Sequence, residues 1–354
     1  MAVLSQRALA GLKAYKYKPG GYTILDVIHT PLWNWMTEQL PMWLAPNLIT
    51  LSGLLIMFVC YLINWYYLPE FAGEAPRWVY TVSGLSVIIY TNLDCIDGKQ
   101  ARRTKTSSPL GQLFDHGCDA ISLHIMLSLA QCAFGHQSDW QSAIILEAQC
   151  VLTPVSGACV AQVKLPWLVS HYEEYHTGVL MYGDGFFGIL EANYTLAIIM
   201  LITGYAGPSF WHQPLLPLLP ERGHKELGFG PRVRHLLYCL AVIAAGYIYI
   251  GHPGLKPAQS RLEALTEGVI YAYIATQLIM DHMCKEPFEP PRLVLGALLL
   301  VAANSVLGIV PPHLVAYAFT PVMVVLYVRF VVGVVNEVCA YLGIPCLTIK
   351  HHAQ

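Results

Sequence analysis

About nine runs of roughly 20 mostly apolar residues, joined by polar links, limit what this chain can fold into. A backbone crossing lipid must satisfy its own polar groups, and over unbroken runs of this length an α-helix does so. The runs fall near residues 48–67, 78–97, 110–134, 140–163, 186–205, 235–251, 264–283, 292–310 and 313–338. Between the fifth and sixth, residues 206–233 are rich in Pro and Gly and do not suit a crossing. Composition agrees. Only 12% of the 354 residues are charged, about half the share roughly expected of a soluble chain. The expected fold is an all-α polytopic membrane bundle of about nine to ten transmembrane helices, preceded by interfacial helices.

Residues 2–19 place apolar side chains at helical spacing opposite Arg7, Lys13, Lys16 and Lys18, which suits a helix lying on an anionic leaflet or a solvated tail. Residues 31–44 begin with Pro31, suited to a first helical position, and carry three tryptophans, which gather at headgroup level. The chain therefore divides into an interfacial segment (1–45), a helical core (46–205) and C-terminal spans with a short tail (206–354). Residues 1–10 lack an apolar signal core, so the first span is expected to direct insertion. The Lys99–Lys105 cluster places its loop and the N-terminus in the cytosol, and nine spans put the tail on the opposite side unless a further span is hidden around 206–233. A net charge of −2 without a long basic run gives no footing for nucleic acid. The ten cysteines are scattered without CxxC spacing and read as small buried hydrophobes.

Against this apolar background, residues 92–120 (NLDCIDGKQARRTKTSSPLGQLFDHGCDA) stand out. Asp94 and Asp97 share a helix face with Ala101, and Gly111, Asp115 and Asp119 form a second stripe at four-residue steps. Two antiparallel helices could aim all four carboxylates at one point, where their repulsion calls for a cation. Mg²⁺ or Mn²⁺ takes such oxygen ligands together with substrate phosphates. Gly98 and Gly111 leave room for a ligand, and Lys99, Arg102 and Arg103 offer donors to phosphate. Singly, each aspartate could equally cap a helix or pair with an arginine; together, with the glycines, they favour a metal site.

The pattern Asp94-x-x-Asp97-Gly98-x-x-Ala101-Arg102, then Gly111-x-x-x-Asp115-x-x-x-Asp119, is similar at every fixed position to the CDP-alcohol phosphotransferase signature. DGKQARRT, SPLGQLFDHGCD, WLAPNLIT and SHYEEYHTGVL resemble the eukaryotic choline/ethanolamine phosphotransferase branch, most strongly over residues 41–205. The resemblance implies transfer of phosphocholine or phosphoethanolamine from CDP-choline or CDP-ethanolamine to diacylglycerol, releasing CMP. It implies Asp94, Asp97 and Asp115 as metal ligands, with Asp119 a ligand or base, and two ions. Gly98, Ala101, Arg102 and Gly111 would line the CDP site, bordered by Asn47. It further implies the endoplasmic reticulum or Golgi membrane, a cytosol-facing site and a homodimer. That branch has about ten spans with both termini cytosolic, one span more than this chain shows.

The acceptor hydroxyl needs a base, and His116, with an unperturbed pKa near 6.5, and Asp119 are the candidates. Glu173, Tyr172 and Tyr175 in the 171–178 stretch could receive an ammonium headgroup, or form a solvated loop. Glu147 and Glu191 read as packed carboxylates, Asp281 and His282 as interfacial, and the Asn193 sequon as an unmodified site within a span. The other readings are a synthase with inositol or glycerol phosphate as acceptor, and a cation-coupled transporter. A transporter would show internal repeats, and the aspartate cluster has no second copy.

Overall fold

The computed structural model describes residues 3–71, 73–135, 171, 174–175, 177–183, 185–212, 257–288 and 291–349. Among them are nine α-helices: α1 (Gln6–Lys13), α2 (Ile24–Gln39), α3 (Pro46–Tyr67), α4 (Arg77–Arg103), α5 (Pro109–Phe134), α6 (Ile189–Ala206), α7 (Pro257–Cys284), α8 (Arg292–Leu307) and α9 (Pro312–Leu342). Two two-residue strands, β1 (Pro19–Gly20) and β2 (Leu180–Met181), pair in parallel. By length and composition α3, α4, α5, α6 and α9 can each cross a membrane, and the fold is an all-α polytopic bundle. The spans expected at 140–163 and 235–251 lie outside the described residues.

Local chemistry fixes the ends of the central helices. Ser108 caps α5, its Oγ accepting from the Gly111 amide at 3.1 Å, and Pro109 occupies the first turn. Gly135, in the left-handed region, ends it. α5 is the hub: sixteen of its residues are buried, against α3, α4 and α6 on one side and α7 and α9 on the other. The lipid-facing role passes to α3 and α9, which leave Leu55, Phe58, Val59, Val325, Leu326 and Val332 exposed.

α7 covers the span expected at 264–283 but is less apolar than the five, because its buried side includes Arg261, Glu267 and Asp281. The fully buried Arg261 donates to the Leu68 carbonyl through Nε (3.0 Å) and Nη2 (2.6 Å), closing the C-terminus of α3. Its guanidinium lies 4.1 Å from the Phe71 ring centroid.

Three expectations change. α2 starts at Ile24, because Thr23 and Asp26 form a capping box, so Pro31 lies inside the helix and not at its start. Its exposed face (Ile24, Val27, Ile28, Leu32, Trp35) keeps the interfacial character while Trp33 is buried and donates to Asn92 at 2.9 Å. Next, α1 buries Ala8, Leu9 and Leu12 on α7 and α9, so its apolar stripe is used by protein and not by lipid. Finally, the tail returns to the N-terminal face. Asn47, at the start of α3, donates to the Cys346 carbonyl at 2.8 Å, and the Leu4 amide donates to Glu337 at 2.7 Å. Of the two readings of the tail, the one that keeps it on the N-terminal side agrees with these contacts.

Candidate active site

The site forms where the C-terminal half of α4, the N-terminal half of α5 and the start of α3 converge. Tyr90, Asp94, Asp97 and Ala101 recur along one face of α4; Gly111, Asp115 and Asp119 do so on α5. Asp94, Asp97 and Asp115 each offer a carboxylate oxygen, all within 4.8 Å of one another. Thr50 Oγ1 donates to Asp97 Oδ2, and Tyr90 Oη donates to Asp119 Oδ1 at 2.8 Å. Asp119 stands outside the three-carboxylate group and abuts Asp94.

Asp94 Oδ1 and Asp115 Oδ1 are buried and have no hydrogen-bond partner among the described residues. A buried acceptor left unpaired costs about 1–3 kcal/mol, and adjacent carboxylates add repulsion. An all-oxygen, three-carboxylate donor set with unfilled acceptors suits a hard divalent cation such as Mg²⁺ or Mn²⁺. The residues fit the group the signature implies.

Around this centre the positions named from the sequence differ in their surroundings. A Cβ on Gly98 would meet Arg102 Nη1 at 3.6 Å, and one on Gly111 would meet Asn47 Oδ1 at 3.6 Å, ordinary van der Waals contacts with two polar side chains. Asn47 therefore borders Gly111. Ala101, half-buried, lies one turn beyond Asp97. The basic cluster divides. Arg103 Nη1 donates to the carbonyls of Thr37 (2.9 Å) and Leu40 (2.7 Å), and so closes the end of α2. Lys99 donates to Asn34 at 2.9 Å. Arg102 is exposed and makes no hydrogen bond to a described residue. Of the three phosphate donors expected, Arg103 is committed to the fold and Lys99 to α2, and Arg102, beside Gly98, is uncommitted among the described residues.

His116 is buried, and its side chain turns toward the N-terminal arm. Its Nε2 lies 2.8 Å from Gln112 Nε2, its Nδ1 3.3 Å from His171 Nε2, and its ring edge-to-face with Tyr17. Behind it, Glu174 accepts from Tyr15 Oη at 2.8 Å and lies 3.5 Å from His282 Nε2. Burial pushes the Glu174 carboxyl up, but His282, His116 and Tyr15 outweigh it and hold the group below the ordinary carboxylate range. Tyr175 uses its hydroxyl on the 286–288 backbone, donating to Glu286 O (3.2 Å) and accepting from Phe288 N (2.9 Å). Glu173 and Tyr172 lie outside the described residues.

The remaining wall comes from residues 15–24. The Leu180 amide donates to Lys18 O and the Tyr182 amide to Gly20 O, at 3.0 and 2.9 Å. Gly21, in the left-handed region, and Gly183 bring backbones so close that a Cβ on either would collide with a carbonyl. This clasp sets the hydroxyls of Tyr17 and Tyr182 against each other. Sequence reasoning missed Thr50, Tyr90, Tyr17, Tyr182, His171 and Glu174. Tyr90, one helical turn before Asp94, had a readable signal, as did Thr50, inside WLAPNLIT.

The profile of the CDP-alcohol phosphatidyltransferase family matches residues 43–206, the segment that carries this geometry. A class-I family protein of this type from Dictyostelium discoideum, number 3, is 30% identical over 99% of both chains. The chain belongs to the CDP-alcohol phosphatidyltransferase family. Other relatives include cholinephosphotransferase 1 of Danio rerio, 27% identical over 98% of this chain and 96% of its own length. Cholinephosphotransferase 1 of Gallus gallus is 35% identical over 59% of this chain and 58% of its own. The named relatives agree with the branch that the motifs resemble. Family membership makes this a CDP-alcohol phosphotransferase of phospholipid synthesis, acting on a lipid acceptor in a membrane.

Proposed function

We propose that the chain transfers phosphocholine or phosphoethanolamine from CDP-choline or CDP-ethanolamine to diacylglycerol, in the endoplasmic reticulum membrane with its site toward the cytosol. The observation that carries this reading is the Asp94, Asp97 and Asp115 group with its unpaired buried oxygens. These residues, with Asp119 beside them, would hold Mg²⁺ or Mn²⁺. A divalent ion there supplies charge neutralisation for the diphosphate and the leaving CMP.

The protein's own residues do the rest. Thr50 and Tyr90 fix the rotamers of Asp97 and Asp119. Arg102 reaches a phosphate oxygen; Gly98 and Gly111, bordered by Asn47, leave room for the nucleotide. His116 takes the proton of the acceptor hydroxyl at Nε2, where the hydroxyl displaces Gln112 Nε2 from its 2.8 Å contact, while its Nδ1–H donates to His171 Nε2 and fixes the tautomer. His116 is preferred to Asp119 because a carboxylate engaged with a metal ion is a weak base, whereas an imidazole has an ordinary pKa near 6.5. The cytosolic orientation is supported by the Lys99–Lys105 charges, which lie at the site end of α4 and the loop after it.

The test is CMP release by the full chain reconstituted in vesicles with diacylglycerol and Mg²⁺. Release with CDP-choline or CDP-ethanolamine, absent without diacylglycerol or with chelator, is the expected result. No release with either donor, but release from CDP-diacylglycerol with inositol or glycerol phosphate, would overturn it.

A further inference from the structure

The clasp between residues 17–22 and 180–183 carries aromatic groups to which the reaction as derived gives no part. Tyr17 packs edge-to-face on His116, with ring centroids 5.9 Å apart, and its hydroxyl meets that of Tyr182. Tyr22, 60% exposed, stacks on Tyr182 at 6.1 Å and extends the aromatic surface outward. The charge of Asp115 acts on both hydroxyls, that of Asp94 on Tyr182 and that of Glu174 on Tyr17. Tyr17 thus lies against His116, the chain neighbour of Asp115, and Tyr182 lies against Tyr17. Burial, reinforced by these charges, keeps both hydroxyls protonated, so the rings remain neutral.

A donor held by its diphosphate at Asp94, Asp97 and Asp115 has little freedom in its headgroup. Two carbons separate the ammonium from the phosphate ester oxygen, so the cation must lie beside the centre and near the base. A quaternary ammonium donates no hydrogen bond and is recognised by ring faces in a negative potential. We infer that Tyr17 and Tyr182, held together by the β1–β2 clasp, form the headgroup wall and select a quaternary ammonium donor. This rests on the transfer reaction proposed above. It also moves headgroup recognition away from Tyr175, whose hydroxyl is bound to the 286–288 backbone.

The experiment compares the full-length wild type with Tyr17→Leu, Tyr182→Leu, Tyr17→Phe and Tyr182→Phe. KM is measured separately for CDP-choline, CDP-ethanolamine and diacylglycerol. Loss of one ring face should raise KM for CDP-choline roughly tenfold, with a smaller change for CDP-ethanolamine and none for diacylglycerol. The phenylalanine variants, which keep the ring, should stay within about twofold of wild type. An unchanged CDP-choline KM in the leucine variants, or equal rises for all three substrates, overturns the assignment. Should the leucine variants fail to fold, the phenylalanine variants decide: a tenfold rise on removal of the hydroxyl alone overturns recognition by the ring face. A wild type that uses neither donor sinks the transfer reaction itself, an outcome distinct from these.

Discussion

The helix pair α4–α5 and the N-terminal arm face the same site but are built by different rules. In the pair, position along the sequence sets position in space: three- and four-residue steps place Asp94, Asp97, Asp115 and Asp119 on facing stripes. In the arm, tertiary contact decides. Tyr15 reaches Glu174 and Tyr17 reaches Tyr182, across more than 150 residues. The comparison teaches that the carboxylate group that could hold a metal is encoded locally, whereas the surroundings of His116 are assembled from distant segments. Substitutions in the pair should therefore strike turnover, and those in the arm should strike selectivity.

The hardest strain on that contrast comes from Asp115→Asn. It removes a ligand charge while keeping volume, and should cut turnover by roughly 10⁴-fold, several kcal/mol of lost charge stabilisation. A normal melting temperature in the same variant would separate chemistry from folding. His116→Ala should follow, with a loss of roughly 10³-fold in turnover and an unchanged Kd for the CDP-alcohol by calorimetry. Near-normal turnover would hand the proton to Asp119. Thr50→Val, which leaves Asp97 without its donor, should weaken metal affinity by roughly 10–100-fold, read from the Mg²⁺ dependence of the rate. Smallest is the split between neighbouring arginines. Arg102→Ala should raise the donor KM roughly tenfold with little change in melting temperature. Arg103→Ala should leave that KM in place but cost about 1–3 kcal/mol of stability, since the Thr37 and Leu40 carbonyls lose their donor. Equal behaviour of the two would erase the distinction drawn between them.

Legibility followed the same division. The α4–α5 stripes were readable because helical period alone specifies them, and the spans of α3, α4, α5, α6 and α9 were readable because lipid demands them, whereas α8, expected to span 292–310, is a shorter apolar helix. Pro31 misled because a proline suits a first turn, yet the Thr23–Asp26 capping box starts α2 earlier. The parity of spans could not reveal that the tail meets Asn47, since one hydrogen bond across 299 residues leaves no local trace. Arg103 looked like a phosphate ligand because its charge is visible in the sequence and the α2 carbonyls it serves are not. The clasp was invisible for the same reason. A two-residue parallel pairing has no periodicity, and its trace in the sequence is a few glycines at close backbone approach, Gly21 and Gly183 among them.

The central claim is that three carboxylates within 4.8 Å hold a divalent cation. Mn²⁺ binding by the full-length protein, followed by loss of the free-ion electron paramagnetic resonance signal, tests it without reference to activity. Wild type should bind Mn²⁺ and release it to excess Mg²⁺, and Asp115→Asn should lose that binding while remaining folded. Equal Mn²⁺ binding by wild type and Asp115→Asn would contradict the account.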